Sequence, residues 1–328
     1  MVIPMIHSQH YNIYIASCDQ YGGIYRFGMD KTGKLTKPVF TQMDRPMYMV
    51  IKDGKMYILL RAPFEDNNES GLIVYDIDEN GELINPSEIK STKGEVACHL
   101  TVDEKNIYCV NYISWSVIRL PEEKIIVHEG KGINPKRQEC AHTHFVGVTP
   151  DNKFIIVTDL GLDTIFIYDK NLNFKNKAQV PKGHGARHLI FSDDGKYCFV
   201  ANELKSTVSL LEYNRGELKY IDTISCLPEG YSRETTASAI RFNEDCIYVS
   251  NRGLDSISVL KNQNGKLIYK DTYSCNGKFP RDFDIIGNYI ICTNEKSNSI
   301  TVLDKNNFNV LYTENNIKSP ICVVPKKD

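Results

Sequence analysis

Short apolar runs separated by polar turns follow one another along the whole chain, and one apolar run recurs at regular intervals. It starts with an aromatic or aliphatic residue, continues with small or apolar residues and often ends in Asn or Asp, as in YIAS, YILL, YCVN, IVTD, FVAN, YVSN and ICTN. The last residues of these seven runs are 43, 51, 48, 43, 49 and 43 positions apart. A period of about 40–50 residues is typical of repeat architectures, so the pattern predicts seven copies of one structural unit.

Each copy contains four runs with the character of strands. The recurring run is followed by a loop and a second alternating run, such as GLIVYDI or STVSLLEY, and five copies then show a turn sequence such as KTGKL or NRGEL before another short run. A further run, such as ACHLTV or ARHLIF, precedes each copy. Four antiparallel strands per repeat are typical of a propeller blade. The pattern therefore predicts an all-β, seven-bladed β-propeller that forms one domain over residues 1–328. A pair of β-sandwiches is the alternative, but sandwiches do not repeat a four-strand unit seven times.

The two ends of the chain complete each other in this pattern. The final run, residues 320–324, has no repeat left to join except the one that begins at Asn12. We therefore expect residues 321–324 to form the innermost strand of a blade whose other three strands come from residues 11–42. Pairing of this kind closes the ring and leaves no open sheet edge at the seam.

The same topology predicts which residues meet at one mouth of the propeller. The start of each innermost strand and the end of each second strand lie at one rim, and the long connections 63–70, 128–140 and 227–236 lead to it. Binding groups are usually carried on loops held by a rigid scaffold, so this rim is the candidate site. The third residues of the innermost strands are Tyr48, His99, His144, His188, Ala239, Asp282 and Cys322, and the second residues add Arg187 and Arg281. The ends of the second strands add Asn111, Glu203, Asn251 and Arg252.

Some of these residues also have a structural interpretation. Asn at a strand end can hydrogen-bond a turn, and Asp282 or His99 can belong to a buried network. Arginines at one rim can form ion pairs between blades, but guanidinium groups also fit carboxylate or phosphate, and we favour anion binding for at least one of them. His142 and His144 share a strand face as a metal pair would, yet no third ligand is evident beyond Asp159 or His188. We therefore expect no metal and no cofactor.

Composition and charge narrow the class of protein. Hydrophobic residues make up 41% and charged residues 24%, which is ordinary for a globular protein, and no window approaches the ~20 apolar residues of a membrane helix. The 39 basic and 41 acidic residues form no long block, which disfavours nucleic acid as a partner. The ten cysteines are scattered without CxxC spacing, which predicts free thiols and a cytoplasmic protein. The N-terminal segment MVIPMIHSQHYNIY lacks the features of a signal peptide. Because packing between blades already buries the flanks of every repeat, stability requires no oligomer and we expect a monomer.

Several segments resemble a known family. These are GARHLIFSDDGKYCFVANELKSTVSLLEY, SAIRFNEDCIYVSNRGLDSISVL, PRDFDIIGNYIICTNEKSNSITVL, CHLTVDEKNIYCVNY and RQECAHTHF. They are similar to the seven-bladed lactonase family of cytosolic 6-phosphogluconolactonases, which in turn resembles the fungal carboxymuconate-lactonising enzymes. The resemblance covers nearly the whole chain. It implies hydrolysis of a sugar-derived lactone, with 6-phosphogluconolactone of the pentose phosphate pathway as the leading substrate.

The resemblance also implies site residues. The suspected catalytic groups of the muconate-lactonising relatives are a histidine, two arginines and a glutamate, which fall by motif on His144 of AHTH, Arg187 of ARH, Glu203 of ANEL and Arg252 of SNRG. The remaining rim residues are candidate substrate contacts: His188, Arg281, Asp282, His99, Asn111 and Asn251. The chain departs from the family pattern at Ala141, Ala186 and Ala239, and the last of these removes a carboxylate from the rim.

A lactone needs a positioned water, a base and groups that stabilise the oxyanion. Our hypothesis takes Glu203 as the base, with His144 or His188 polarising the carbonyl or protonating the leaving oxygen. Arg187 and Arg252 would hold a phosphate or stabilise the oxyanion. The sequence contains no GxSxG elbow, no glycine-rich phosphate loop and no Cys/His pair at a characteristic spacing, so it gives no support to covalent catalysis. Two alternatives stay open: a non-enzymatic propeller that binds a small anion or a protein partner, and a lyase that forms a lactone from an unsaturated diacid.

Overall fold

The computed structural model describes residues 11–327, and these form seven antiparallel sheets arranged in a ring. Residues 1–10, which carry most of the segment interpreted above as lacking a signal peptide, lie outside the described residues, as does residue 328. The innermost strand of each sheet contacts the innermost strands of both neighbouring sheets, which closes the ring. The predicted seven-bladed β-propeller is confirmed.

Each blade is built from four strand positions, numbered from the axis outwards. The innermost strands are β4 (Pro46–Lys52), β9 (Ala97–Val102), β13 (Thr143–Val148), β17 (Ala186–Phe191), β21 (Thr236–Asn243), β25 (Pro280–Ile286) and β29 (Pro320–Lys327). The second strands are β1 (Tyr11–Ser17), β5 (Lys55–Leu60), β10 (Ile107–Asn111), β14 (Phe154–Asp159), β18 (Tyr197–Asn202), β22 (Cys246–Arg252) and β26 (Tyr289–Asn294).

The outer half of each blade is less buried. The third strands are β2 (Gly23–Met29), β6 (Glu69–Ile77), β11 (Ser116–Leu120), β15 (Thr164–Asp169), β19 (Thr207–Asn214), β23 (Ser256–Gln263) and β27 (Ser299–Asp304). The outermost strands are β3 (Val39–Gln42), β7 (Leu83–Ile84) with β8 (Lys90–Glu95), β12 (Lys124–Val127), β16 (Phe174–Gln179), β20 (Glu217–Ser225), β24 (Lys266–Ser274) and β28 (Val310–Asn315). In the second blade the outermost position is divided, because β7 and β8 pair with opposite ends of β6.

The seam of the ring is closed as the sequence predicts. Strand β29 pairs antiparallel with β1, with Tyr14 opposite Val324 and Ala16 opposite Cys322. The first blade therefore takes its innermost strand from the end of the chain and its other three from the beginning. Closure removes the exposed edge that an unpaired β1 would present to another chain.

Packing between neighbouring blades explains why the second strands are almost continuously apolar. Seven clusters of buried side chains fill the spaces between the blades, so a second strand is covered on both faces. Phe199 of β18 and Phe242 of β21 stack with ring centroids 5.5 Å apart, for example. Burying a side chain of this size stabilises the fold by about 1.5–3 kcal/mol, and every interface contains several.

Every innermost strand carries a β-bulge near its first residue. The register of β17 against β18 moves from Ala186 opposite Asn202 to His188 opposite Ala201, which leaves Arg187 unpaired between them. Equivalent shifts occur in the other six blades. A bulge bends the strand and re-aims the extra side chain, and here it does so seven times at one rim.

Within the described part of the chain, helical structure is limited to two three-residue 3₁₀ turns, Glu203–Lys205 and Glu295–Ser297, which directly follow β18 and β26. Over residues 11–327 there is accordingly no helix of the length and apolar character that crossing a membrane requires.

Candidate active site

Two rings of side chains surround the mouth of the central channel. The bulge ring consists of the unpaired residue of each innermost strand: Met47, Cys98, His144, Arg187, Ser238, Arg281 and Ile321. The strand-end ring consists of the residue after the last position of each recurring run: Cys18, Arg61, Tyr112, Leu160, Glu203, Arg252 and Glu295. The repeat thus brings residues from all seven blades to one opening, and the side chains at equivalent positions differ in charge and polarity from blade to blade.

Because of the bulge, His144 does not occupy the position equivalent to those of His99 and His188. The sequence aligned His144 with His99 and His188, whereas the structure places it in the bulge ring beside Arg187. Phe145, not His144, is opposite Thr158 in the way that His188 is opposite Ala201. His144 therefore lies nearer the rim than His99 and His188 do.

A basic pocket opens at this mouth. Its volume is about 300 Å³ and it is lined by Met47, Arg61, Val96, Cys98, Tyr112, Ile113, Arg137, His144, Glu203, Arg252 and Arg281. A narrow cavity of about 20 Å³ shares Met47, Cys98, His144 and Arg281 with it and adds Tyr48, Arg187, His188, Asp282 and Ile321. A cavity needs a volume of roughly 10–15 Å³ to hold one water molecule, so the narrow cavity can hold a single water beside the pocket.

Glu203 is the centre of the charge arrangement. Its Oε2 accepts hydrogen bonds from Nε of Arg187 at 3.1 Å and lies 2.9 Å from an Nη of Arg252. Its Oε1 accepts from an Nη of Arg137 at 2.5 Å. One buried carboxylate thus holds three guanidinium groups that come from two blades and a loop.

These charges decide the protonation state of Glu203. Burial alone would raise the pKa of its carboxyl, but the charges of Arg252, Arg187 and Arg137 together hold that pKa well below its usual value. Glu203 is therefore ionised at neutral pH. A carboxylate whose proton affinity is this low is a weak general base.

The arginines are not fully neutralised by Glu203. Nη1 of Arg187 and Nε of Arg252 are buried and have no hydrogen-bond partner among the described residues. Burial, with the neighbouring charge of Arg252, lowers the pKa of Arg187 to about 9. Buried donors without partners are costly in a protein, and an anion or a ligand oxygen would satisfy them.

The mouth carries a net positive charge. Arg61, Arg137, Arg187, Arg252 and Arg281 surround it. The carboxylates nearby are Glu203, Glu295, which lies 3.3 Å from Arg281, and Asp282, whose charge is matched by Arg241. The chain as a whole has a formal charge of −2, so the positive charge is local. Such a cleft attracts and retains small anions.

Arg137 and Tyr112 were missed by the sequence reasoning. Arg137 lies on the connection from β12 to β13, which repeats nowhere in the chain, and Tyr112 follows Asn111 directly. The guanidinium of Arg137 also lies near the hydroxyl of Tyr112, and both residues line the basic pocket. The only signal for Arg137 was its position in a long basic connection that leads to the mouth.

His144 lies between the pocket and the narrow cavity. Burial, together with the charge of Arg187, lowers its pKa well below the usual value, so the ring is neutral at neutral pH. Its Nδ1 lies 3.9 Å from Sγ of Cys98, a contact across two blades that the sequence spacing did not indicate. The thiol of Cys98 donates toward the backbone oxygens of Thr143 and His144, and burial raises its pKa to about 12. Cys98 is thus a protonated thiol and not a nucleophile at neutral pH.

His188 and His99 form a deeper layer of the channel. Their ring centroids are 5.2 Å apart, and His188 lies 5.3 Å from His144. His188 lines the narrow cavity, and its buried Nε2 has no protein partner over residues 11–327. His99 is stacked between Tyr48 and Phe145 and does not line the basic pocket.

Below this layer the channel widens into a second cavity of about 440 Å³, walled mainly by aliphatic and aromatic side chains such as Val50, Val148 and Ile190. It is larger than the basic pocket but carries few ionisable groups. The arginine, histidine and glutamate side chains expected in a catalytic site are at the other end of the channel, around the basic pocket.

Asp282, Asn111 and Asn251 are occupied by structural contacts. Asp282 pairs with Arg241 at 2.9 Å and accepts a hydrogen bond from the backbone of Val323, so it ties two innermost strands together. Asn111 bonds the backbone oxygen of Thr92 and the hydroxyl of Ser116, and Asn251 bonds Ser258. Neither asparagine lines the basic pocket or the narrow cavity. The predicted substrate contacts thus separate into three groups: Arg281 and His188 line these spaces, Asp282 lines the narrow cavity but is held by scaffold contacts, and His99, Asn111 and Asn251 line neither space.

His142 and His144 do not converge as a metal pair. His144 lines the pocket, whereas His142 contacts Glu139 and the backbone oxygen of Tyr112. Asp159, considered above as a third ligand, binds His128 at 2.7 Å.

Known proteins share the sequence and the architecture. The family model described as lactonase, 7-bladed beta-propeller, matches residues 12–325. The chain is 30% identical over 310 residues to an uncharacterized protein of Staphylococcus aureus strain USA300, across 87% of this chain and 89% of that protein.

Solved structures agree with the fold. A protein of Bacteroides fragilis that has been suggested to be a 6-phosphogluconolactonase is 24% identical, with a TM-score of 0.86 over 99% of this chain and 100% of the other. The periplasmic gluconolactonase of Pseudomonas aeruginosa is 21% identical, with a TM-score of 0.85 over 96% and 99%. At these identities the likeness shows the fold. The family match, which spans almost the whole chain, shows more: this protein belongs to the seven-bladed β-propeller lactonase family.

Proposed function

We propose that the protein hydrolyses a sugar-derived lactone carrying a negative charge, with 6-phosphogluconolactone as the leading substrate. The observation that carries this proposal is a pocket of about 300 Å³ lined by four arginines, with Arg187 in the adjoining narrow cavity. Arg187 and Arg252 each have a buried donor without a hydrogen-bond partner among residues 11–327. A phosphate group would satisfy those donors with charge-assisted hydrogen bonds. An aldonolactone phosphate is small enough for the pocket, which lies at the lower end of the usual range of ~300–1,000 Å³.

The charge on Glu203 leads us to assign the base to His144 instead. Glu203 binds three guanidiniums and holds its proton weakly, so its role is to orient Arg187, Arg252 and Arg137. His144 is neutral and lines both the pocket and the narrow cavity, so its ring can accept a proton from a water there. A bound anion would raise the pKa of His144 toward the working range of a general base.

The steps of the reaction follow from these positions. Water attacks the lactone carbonyl while His144 takes a proton from it, and the carbonyl oxygen becomes an oxyanion that Arg187 stabilises through its free Nη1. The ring C–O bond then breaks, and the protonated His144 returns the proton to the departing ring oxygen. The product is a hydroxy acid, whose new carboxyl group releases its proton to solvent and becomes a carboxylate. No covalent intermediate is required, in keeping with the protonated thiol of Cys98.

We also propose that the chain acts as a cytoplasmic monomer. All ten cysteines are free, as is usual in a reducing compartment. The periplasmic relative of the same fold shows that architecture does not decide location.

The direct test is acid release from freshly prepared 6-phosphogluconolactone, read against a blank without enzyme because this lactone opens spontaneously. Unphosphorylated gluconolactone tests whether the phosphate matters, and a carboxylated muconolactone tests the lyase alternative in its reverse direction. We expect Arg252→Ala to slow hydrolysis of the phosphorylated lactone on the order of a hundredfold. A wild-type rate equal to the blank for all lactones would favour a non-enzymatic anion-binding propeller, and activity on muconolactone alone would favour the lyase.

A further inference from the structure

Beside the basic pocket, the connection from β12 to β13 brings three potential metal ligands together. Nε2 of His142 lies 3.2 Å from Oε1 of Glu139 and 3.6 Å from Sγ of Cys140, and Sγ of Cys140 lies 3.9 Å from the same carboxylate oxygen. Over residues 11–327 this is the only group of three His, Cys, Asp or Glu side chains whose ligand atoms converge in this way. His142 is buried, Cys140 half-buried and Glu139 exposed, so an ion can reach the group from solvent.

The tautomer of His142 suits a metal and does not suit a catalytic relay. Its Nδ1 lies 3.2 Å from the backbone oxygen of Tyr112 and donates to it, which leaves a lone pair on Nε2. Cys140 and Glu139 both approach that same Nε2. In a nucleophile relay the carboxylate would instead bind the opposite ring nitrogen from the thiol.

The spacing of the three atoms matches tetrahedral zinc. With Zn–S of about 2.3 Å and Zn–N and Zn–O of about 2.0–2.1 Å, ligand atoms on a tetrahedron are about 3.3–3.6 Å apart. The separations of 3.2, 3.6 and 3.9 Å reach these values with movements of a few tenths of an ångström. Backbone donation to Nδ1 is the usual support of a zinc-bound histidine.

We propose that Glu139, Cys140 and His142 bind one zinc-class divalent cation, with water in the fourth position. Binding replaces the thiol proton of Cys140, which is released to solvent, by a metal–sulfur bond. The indole of Trp115 lies near the thiol of Cys140, and its N–H can donate to the sulfur once that carries negative charge.

Such an ion would hold one wall of the basic pocket in place. Arg137 lies two residues before Glu139 and binds Glu203, and the ring of His142 stacks on Tyr112 with centroids 4.4 Å apart and planes 9° from parallel. The cation site and the pocket wall therefore share one loop and one aromatic contact. The inference concerns metal binding itself and does not depend on the proposed lactone hydrolysis.

The test uses the full chain, stripped with a chelator and without an affinity tag, and titrates it with Co²⁺ and Zn²⁺. Trp115 is the only tryptophan of the chain and lies beside the site, so bound Co²⁺ should quench its fluorescence at a stoichiometry of one. We expect a cobalt–thiolate charge-transfer band and its displacement by Zn²⁺. Cys140→Ser should abolish the band, and Glu139→Gln should weaken Zn²⁺ binding at least tenfold.

A matched control is Cys246→Ser, which removes another half-buried thiol outside the group and should leave the band and the quenching unchanged. Because neither Cys140 nor Glu139 is buried, both variants should fold, and circular dichroism checks this. The proposal is overturned if the wild type takes up no stoichiometric ion, or if the band and the affinity are the same in Cys140→Ser as in the wild type.

Discussion

Arg187 and Glu203 lie 16 positions apart in the sequence, yet Nε of Arg187 donates to Oε2 of Glu203 over 3.1 Å because a bulge and a strand end of one blade face each other. This bond uses one nitrogen of the guanidinium, and Nη1 has no hydrogen-bond partner among the residues that the structure describes. Glu203 thus fixes the direction of the arginine while part of its donor capacity stays available. Preorganised donors of this kind are what a developing oxyanion or a bound phosphate requires.

Replacing Glu203 by Gln should therefore destabilise the fold as well as the site. The side chains of Glu203, Arg187 and Arg252 are 5%, 4% and 7% exposed, and removal of one partner from a buried ion pair costs about 3–5 kcal/mol because the other charge stays unpaired. Urea denaturation of the variant measures this loss. The matched control is Glu295→Gln, whose pair with Arg281 is about a quarter exposed and should cost less than about 1 kcal/mol. Equal losses in the two variants would contradict the central role of Glu203.

Arg137→Ala should weaken substrate binding with little effect on stability. Its side chain is 41% exposed and lies on a connection, so the fold does not depend on it, but its guanidinium lines the pocket. We expect KM for a phosphorylated lactone to rise about tenfold or more, as the loss of one charged hydrogen bond would cause. Lys136→Ala removes the same charge from the neighbouring exposed position and should leave KM unchanged. An equal rise in both variants would show that only the general charge of the loop matters.

Stability should decrease as the pH falls below about 6.5, before the carboxyl groups titrate. Burial lowers the pKa of His99, His144 and His188 well below the usual value. The charge of Arg187 lowers all three pKa values further, and that of Arg241 lowers those of His99 and His188. The folded state therefore keeps these rings neutral while the unfolded state takes up protons below pH ~6.5, so the free energy of unfolding is highest above that pH and decreases below it. Each histidine can contribute a slope of up to about 1.4 kcal/mol per pH unit.

Urea denaturation at a series of pH values measures that slope, and His99→Phe tests its origin. The aromatic replacement keeps the packing against Tyr48 and Phe145, whose rings lie 4.2 and 4.4 Å away, and removes one titrating group. We expect the variant to lose less stability between neutral and mildly acidic pH. A slope identical to that of the wild type would show that the buried imidazoles do not cause the effect.

The sequence predicted the fold well because a propeller blade is made by local pairing. Neighbouring strands of a blade are joined by short turns, so the pattern of one blade appears in the sequence as one repeat. The same apolar run therefore recurs from copy to copy, and Asn202, Asn251 and Asn294 mark its last position. The single strand that pairs over a long distance, β29, was also predicted, because it was the only run without a partner. The family membership inferred from ANEL, SNRG and PRDF is confirmed by the match over residues 12–325.

The site was predicted less completely, for two physical reasons. A bulge adds a residue that no propensity signals. His144, taken as the third residue of its strand like His99 and His188, was therefore aligned one row too deep. Arg137 comes from a connection without any repeat, and its contact with Glu203 depends on how that loop folds back over the mouth. Conversely, Asn111 and Asn251 have polar side chains at the correct rim, but these are already hydrogen-bonded to neighbouring hydroxyl, thiol or backbone groups.

Cys98→Ser should retain most of the hydrolytic activity, whereas His144→Asn should lose it. The two side chains are 3.9 Å apart and line the same pocket, so the pair separates covalent from general-base catalysis. With a thiol pKa of about 12, Cys98 has almost no thiolate at neutral pH, and serine keeps a donor for the oxygens of Thr143 and His144. His144→Asn removes the proton acceptor and should reduce kcat about a hundredfold or more. Rates under single-turnover conditions measure both variants. A covalent adduct on the wild type with the mass of the intact lactone, together with inactivity of Cys98→Ser, would establish a thioester route instead.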